Sequence, residues 1–164
     1  CAMRRVSADP DPNGEFLMSR QYVIEADGGS RGNPGPAAYG TVVRDANDGR
    51  IVAEAAGYLG ETTNNVAEYN GLVTGLQIVA RLDPEAHVEA RLDSKLVVEQ
   101  MSGRWKIKHP DMRQLALQAR DAFPAHQVTY TWVPREQNKL ADALVNESLD
   151  AIAVGSDGEI ERLY

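Results

Sequence analysis

Residues 22–36 read YVIEADGGSRGNPGP, and the fold is built outward from this stretch. Tyr22 to Ala26 is a short β-type run that ends at Asp27, where a glycine-rich segment begins. A carboxylate at the carboxyl end of a central strand stands where open α/β sheets place their ligands. The glycines that follow let main chain approach a polymer with no side chain in the way. An aspartate that merely opens a turn is the plain alternative. The whole Asp27–Pro36 run is too constrained for an ordinary hairpin, which favours function.

Downstream, residues 38–45 and 50–59 flank Asn47-Asp48-Gly49, a hairpin signal, so three antiparallel strands follow one another. Val66, Tyr69, Leu72, Val73, Leu76 and Val79 recur at spacings of three and four, which predicts a helix over 66–81. A strand over 87–92, a short helix over 94–101 and a helix starting at Pro110 come next, the last with Met112, Leu115, Ala116 and Ala119 on one face. A strand over 128–133 leads to a final helix from about residue 134 to 151. The order βββαβααβα implies an α/β fold with a mixed five-stranded sheet, three antiparallel strands and then two parallel ones reached by helical crossovers. Residues 1–19 read as a disordered leader, 20–151 as one catalytic domain, and 152–164 as a linker-like tail permitting a fused downstream domain.

Composition limits the function classes. A content of 43% hydrophobic and 25% charged residues is ordinary for a soluble domain. The single cysteine, Cys1, rules out an internal disulfide framework. No apolar run approaches the length of a membrane span, and the expected location is cytoplasmic. A net charge of −7 lowers the expectation of a nucleic-acid partner, yet acids that hold cations are offset by them.

Three further acids stand beside strand or helix signals. Glu68 lies three residues after Asn65, so it fits a capping box as well as a ligand role, and the residues before it would suit a phosphate at a helix N-terminus. Asp93 ends the strand parallel to the one entering Asp27, although an aspartate there can also cap a helix. Asp142 follows Asn138 by four residues on one helix face, bordered by Leu140, Ala141, Leu144 and Val145; a surface pair with Lys139 or Arg135 is the alternative. Together, four acids without basic partners would repel one another unless a hard cation joined them. A pair of ions so held suits in-line phosphoryl transfer. Away from the acids, Arg104, Lys106 and Lys108 alternate with Trp105 and Ile107, a candidate phosphate tether if the segment is extended, with Trp105 as a core plug the competing role. His87, His109 and His126 show no metal or triad spacing, and His109 suits a helix boundary.

The blocks Asp27-Gly-Gly-Ser with Asn33-Pro-Gly-Pro, Thr63-Asn-Asn-x-x-Glu68, Asp93-Ser94 and Asn138-x-x-x-Asp142 resemble the four signature blocks of type 1 ribonuclease H, over residues 21–149. The resemblance implies a ribonuclease H-like fold and hydrolysis of the RNA strand of RNA–DNA hybrids, leaving 5′-phosphate and 3′-hydroxyl ends. It implies two Mg²⁺ ions, with Mn²⁺ a substitute, held by Asp27, Glu68, Asp93 and Asp142. It also implies substrate contacts at Gly28, Gly29, Ser30, Asn33, Thr63, Asn65, Lys95 and Asn138. Two departures stand out. The loop before the last helix lacks the family's mobile histidine, leaving Arg135 as the nearest substitute, and the long basic handle is reduced to Gly103–His109. Alternatives are a superfamily DNA nuclease, a non-catalytic hybrid-binding module, or the catalytic part of a larger bifunctional protein.

Overall fold

The computed structural model describes residues 20–164; the leader assigned to residues 1–19 lies outside the described residues. Three strands come first: β1 (Gln21–Ser30), β2 (Gly35–Asp45) and β3 (Ile51–Thr62). They pair antiparallel, and the expected hairpin turns at Gly49, whose φ of +77° suits a residue without a Cβ. Helix α1 (Asn64–Leu82) crosses to β4 (His87–Leu92), which runs parallel to β1. Helices α2 (Lys95–Met101) and α3 (Pro110–Ala122) lead to β5 (Val128–Trp132), parallel to β4, and α4 (Lys139–Ala153) follows.

The expected order therefore appears, with one addition. Residues 160–163, part of the tail read as a linker, form a sixth strand, β6 (Ile160–Leu163), antiparallel to β3. The sheet runs β5-β4-β1-β2-β3-β6. Ser148 Oγ donates to Gly158 O at 2.6 Å, and Arg162 reaches Glu147 at 2.6 Å, so the tail is fastened to α4 before it joins the sheet. Its glycines and charges resemble linker composition, while only Ile160 and Leu163 carry the strand signal. That is too short a pattern for periodicity to reveal.

Alternate residues of β1 and β2 face opposite layers. Tyr22, Ile24, Ala26 and Val43 join the main core with α1, α2 and α3. Val42, Ala38 and Ala56 pack instead beneath Leu144, Val145 and Leu149 of α4. Leu140, placed in that apolar stripe by spacing, is exposed. Gly40 permits the close approach of α4, since a Cβ there would run into Ala141 O and the Leu144 side chain. Among the described residues no helix is long and apolar enough to cross a membrane.

Candidate active site

Strand β1 continues through Asp27 to Ser30 instead of stopping at Asp27, because Gly28, Gly29 and Ser30 still pair with Tyr39, Ala38 and Ala37 of β2. The turn expected at Gly28 begins only at Arg31. Gly28 matters for a different reason, since a Cβ there would overlap the main chain of Ala67 and Glu68. Its absence lets the first turn of α1 sit directly on β1, which brings Glu68 to Asp27. Parallel pairing of Ala26 with Leu92 then sets Asp93 beside Asp27 at the same sheet edge.

The local alternatives resolve against capping. The N-cap of α1 is Thr63, whose Oγ1 accepts from Val66 N–H at 3.3 Å. Glu68 therefore does not close a capping box with Asn65. Its Oε1 accepts from Gly28 N–H at 3.1 Å, while its Oε2 is buried and without a hydrogen-bond partner. Ser94, not Asp93, caps α2 by accepting from Val97 N–H. One oxygen each from Asp27, Glu68 and Asp93 lies within 4.8 Å of the others. Asp142 stands across the same cavity, which encloses about 380 Å³ and is lined also by Gly28, Gly29, Ser30, Asn64, Asn65, Ser94 and Arg135.

Burial raises the Asp27 pKa from 3.8 to about 7, helped by the nearby charges of Asp93 and Asp142 and opposed by hydrogen bonds from Glu68 and Gly28. Glu68 is also raised well above the usual carboxylate range, by burial first and then by the charges of Asp27 and Asp93. An orphaned buried carboxylate oxygen within an all-oxygen cluster fits a hard divalent cation, which would supply the missing partner and relieve the repulsion. The donor set matches such an ion.

The other expected site residues divide. Asn33 Oδ1 accepts from Asn64 N–H at 3.2 Å, and Asn64 Oδ1 accepts from Ser30 N–H and Oγ–H at 2.8 and 2.9 Å. This chain of bonds ties the glycine-rich segment to the start of α1, with Asn65 beside it in the cavity wall. Asn64 belongs to the helix start expected to suit a phosphate, whereas Ser94 was not among the expected contacts although it sits inside a signature block. Lys95 is exposed at the first turn of α2. Asn138 is corrected. It is 0% exposed, and its Nδ2 donates to Ala26 O at 2.8 Å, so its side chain ties the start of α4 to β1 instead of reaching substrate.

The basic segment also differs from expectation. Residues 102–109 are a loop and not a strand. Arg104 is paired with Glu99 through two bonds of 2.6 and 2.9 Å, while its side chain stays exposed. Trp105 is 46% exposed and does not plug the core; Ile107 packs there instead. Lys106 and Lys108 remain exposed on a loop anchored by Gln100 Nε2, which donates to Lys106 O. His109 accepts from Asp111 N–H through Nδ1 as the N-cap of α3, the boundary role expected of it.

A mixed sheet with helices on both faces and an uncompensated carboxylate cluster at its carboxyl edge is the arrangement of ribonuclease H-like proteins. Comparisons narrow the class. Residues 25–148 match a family described as reverse transcriptase-like. The bifunctional protein Rv2228c of Mycobacterium tuberculosis is 53% identical over 134 residues, 81% of this chain and 36% of that protein. Its N-terminal ribonuclease H domain, solved as a fusion with maltose-binding protein, superposes with a TM-score of 0.76 at 52% identity, covering 82% of this chain and 97% of that one. The structure of LC11-RNase H1 in complex with RNA/DNA hybrid gives a TM-score of 0.74 at 38% identity, covering 80% and 99%. The chain belongs to the type 1 ribonuclease H family. It spans about a third of the length of its mycobacterial relative, 36%.

Proposed function

We propose that this chain hydrolyses the RNA strand of RNA–DNA hybrids, leaving 5′-phosphate and 3′-hydroxyl ends. The observation that carries it is the cluster of Asp27, Glu68 and Asp93, the first two buried, with Glu68 Oε2 unpartnered inside a polar cavity. Asp27, Glu68, Asp93 and Asp142 would hold two Mg²⁺ ions. Bound there, such ions would supply the charge that activates a water for attack and stabilises the leaving oxygen.

The chain's own groups divide the remaining work. Asp27 and Glu68 give up their protons when the site is loaded, since metal ligation needs the carboxylate form. Gly28, Gly29 and Ser30, stiffened by Asn64 and Asn33, present main chain and a hydroxyl to the sugar edge, where a 2′-hydroxyl distinguishes RNA from DNA. Asn65 and Lys95 flank that contact, and Thr63 shapes the helix N-terminus that receives a phosphate of the DNA strand. Arg135 borders the cavity near Asp142 and is the nearest substitute for the missing histidine in aiding proton transfer or product release. Lys106 and Lys108 supply a short outlying tether. Recognition of this kind reads shape and sugar, so weak sequence preference follows.

In the cell, the chain acts in the cytoplasm as the hybrid-cleaving part of a longer, bifunctional protein, as the length of its mycobacterial relative suggests. The test is cleavage of an end-labelled hybrid with Mg²⁺ and with chelator, beside the matching DNA duplex. Cut RNA only in the hybrid and only with metal is expected. Cleavage of the DNA duplex, or none of the hybrid, would defeat the assignment.

A further inference from the structure

Trp132 is the last residue of β5 and the neighbour of Leu92 in the parallel pairing, which puts it next to Asp93. Val128, Tyr130 and Trp132 share one face of the strand by alternation, and the first two pack against the main core. The strand outruns that core, so the indole is left 50% exposed. It is nonetheless held: Nε1–H donates to Asp93 O at 3.2 Å. A single exposed apolar residue needs no explanation by itself. This one is clamped by its polar edge to the main chain of a cluster acid.

We propose that Trp132 is a substrate-packing residue, its free ring surface resting against a sugar of the nucleic-acid backbone beyond Asp93. This rests on the hybrid-cleaving function above. The cavity wall consists of acids, short polar side chains and glycines with Arg135, and it offers no apolar side chain to a substrate. A neutral aromatic ring offers apolar contact at that border with little entropy to lose, because its hydrogen bond already orients it. Bases in a duplex are stacked on one another, so the ring meets sugars and adds affinity without sequence preference. The same clamp makes Trp132 a positioning residue for Asp93.

The chain has two tryptophans, Trp105 and Trp132, so Trp105→Phe leaves Trp132 as the only indole. In the full chain carrying Trp105→Phe and Asp27→Asn, titration with a labelled RNA–DNA hybrid should change indole emission over the concentrations at which label anisotropy saturates. Steady-state cleavage by Trp132→Ala in the otherwise unaltered chain should show KM raised by about fivefold with a smaller change in kcat. Trp132→Phe should restore KM while leaving kcat reduced, because the ring returns without the N–H that holds Asp93. Anisotropy that saturates while emission stays flat would overturn the proposal, even if Trp132→Ala fails to fold. So would an unchanged KM in a folded Trp132→Ala. A hybrid that is neither bound nor cut by the unaltered chain would instead bring down the ribonuclease assignment beneath it.

Discussion

Glu25 and Asp27 lie two residues apart on β1, face the same way, and are buried alike at 8% and 7% exposure. Their surroundings differ. Glu25 meets Arg44 Nε at 3.0 Å across the β1–β2 pair. Asp27 has no cationic partner: its Oδ1 accepts from Gly28 N–H at 2.9 Å, the charges beside it are those of Asp93 and Asp142, and its pKa is pushed up to about 7. Burial alone thus does not mark a working carboxylate. A paired one holds two strands together, while an unpaired one among its own kind is poised for a cation. The same division runs through the molecule, since Glu54, Glu99 and Glu147 all have arginine partners away from the cleft.

The hardest break of this contrast is Asp27→Asn. It should lower hybrid cleavage by about a thousandfold or more, because charge stabilisation at the reacting phosphate is lost. The metal-free protein should become more stable above pH 7, because a repelling charge has gone. Thermal melts with chelator, beside cleavage assays, check both halves.

The pH dependence sharpens the contrast next. The folded-state pKa of Asp27 lies above its unfolded value, so the folded form binds the proton more tightly. That contribution is fully present below about pH 4, the ordinary carboxylate value, and is lost as pH rises through about 7. Urea denaturation of metal-free protein should therefore show this component of stability falling across that window. Saturating Mg²⁺ should flatten the fall, and metal affinity should strengthen as pH rises towards 7 and beyond.

On the paired side, Arg44→Met strands Glu25 without its partner and should cost about 2 kcal/mol in urea denaturation, with kcat per folded molecule unchanged. Adding Glu25→Leu should recover most of that loss. A drop in kcat that tracks Arg44 would mean the pair also serves the site. The smallest effect belongs to Arg135→Ala, which should slow cleavage about tenfold while leaving the metal requirement as it was. A rate equal to the unaltered chain would show that Arg135 does not replace the histidine.

Much of the fold was legible because its signals are local. The helix over 66–81 and the strand over 87–92 follow from spacing, and Pro110 marks the start of α3. Residues whose role depends on a distant partner were not legible. Whether Glu68 capped its own helix turned on Thr63 taking that place and on Gly28 admitting the helix to the strand. Asn138 shares a face with Asp142 as its spacing said, but its burial against Ala26 O could not be read from helix periodicity. Arg104 looked free because its partner, Glu99, lies in a different predicted element. Trp105 lies within the basic segment and Trp132 within the strand over 128–133, and neither position says what its ring touches. Only packing separates an indole on a loop from one held against Asp93.

The sequence by itself determined the order of elements as far as α4, the places of four acids beside strand and helix signals, and the motifs that carry the family. Those depend on residue type and on spacings of a few positions. Tertiary structure alone decided which acids are paired, that the tail closes the sheet as β6, and that Asn138 is a tether. The physical reason is that charge, burial and unsatisfied hydrogen bonds belong to neighbourhoods. In this fold the neighbours of Asp27 come from far along the chain, at Glu68, Asp93 and Asp142.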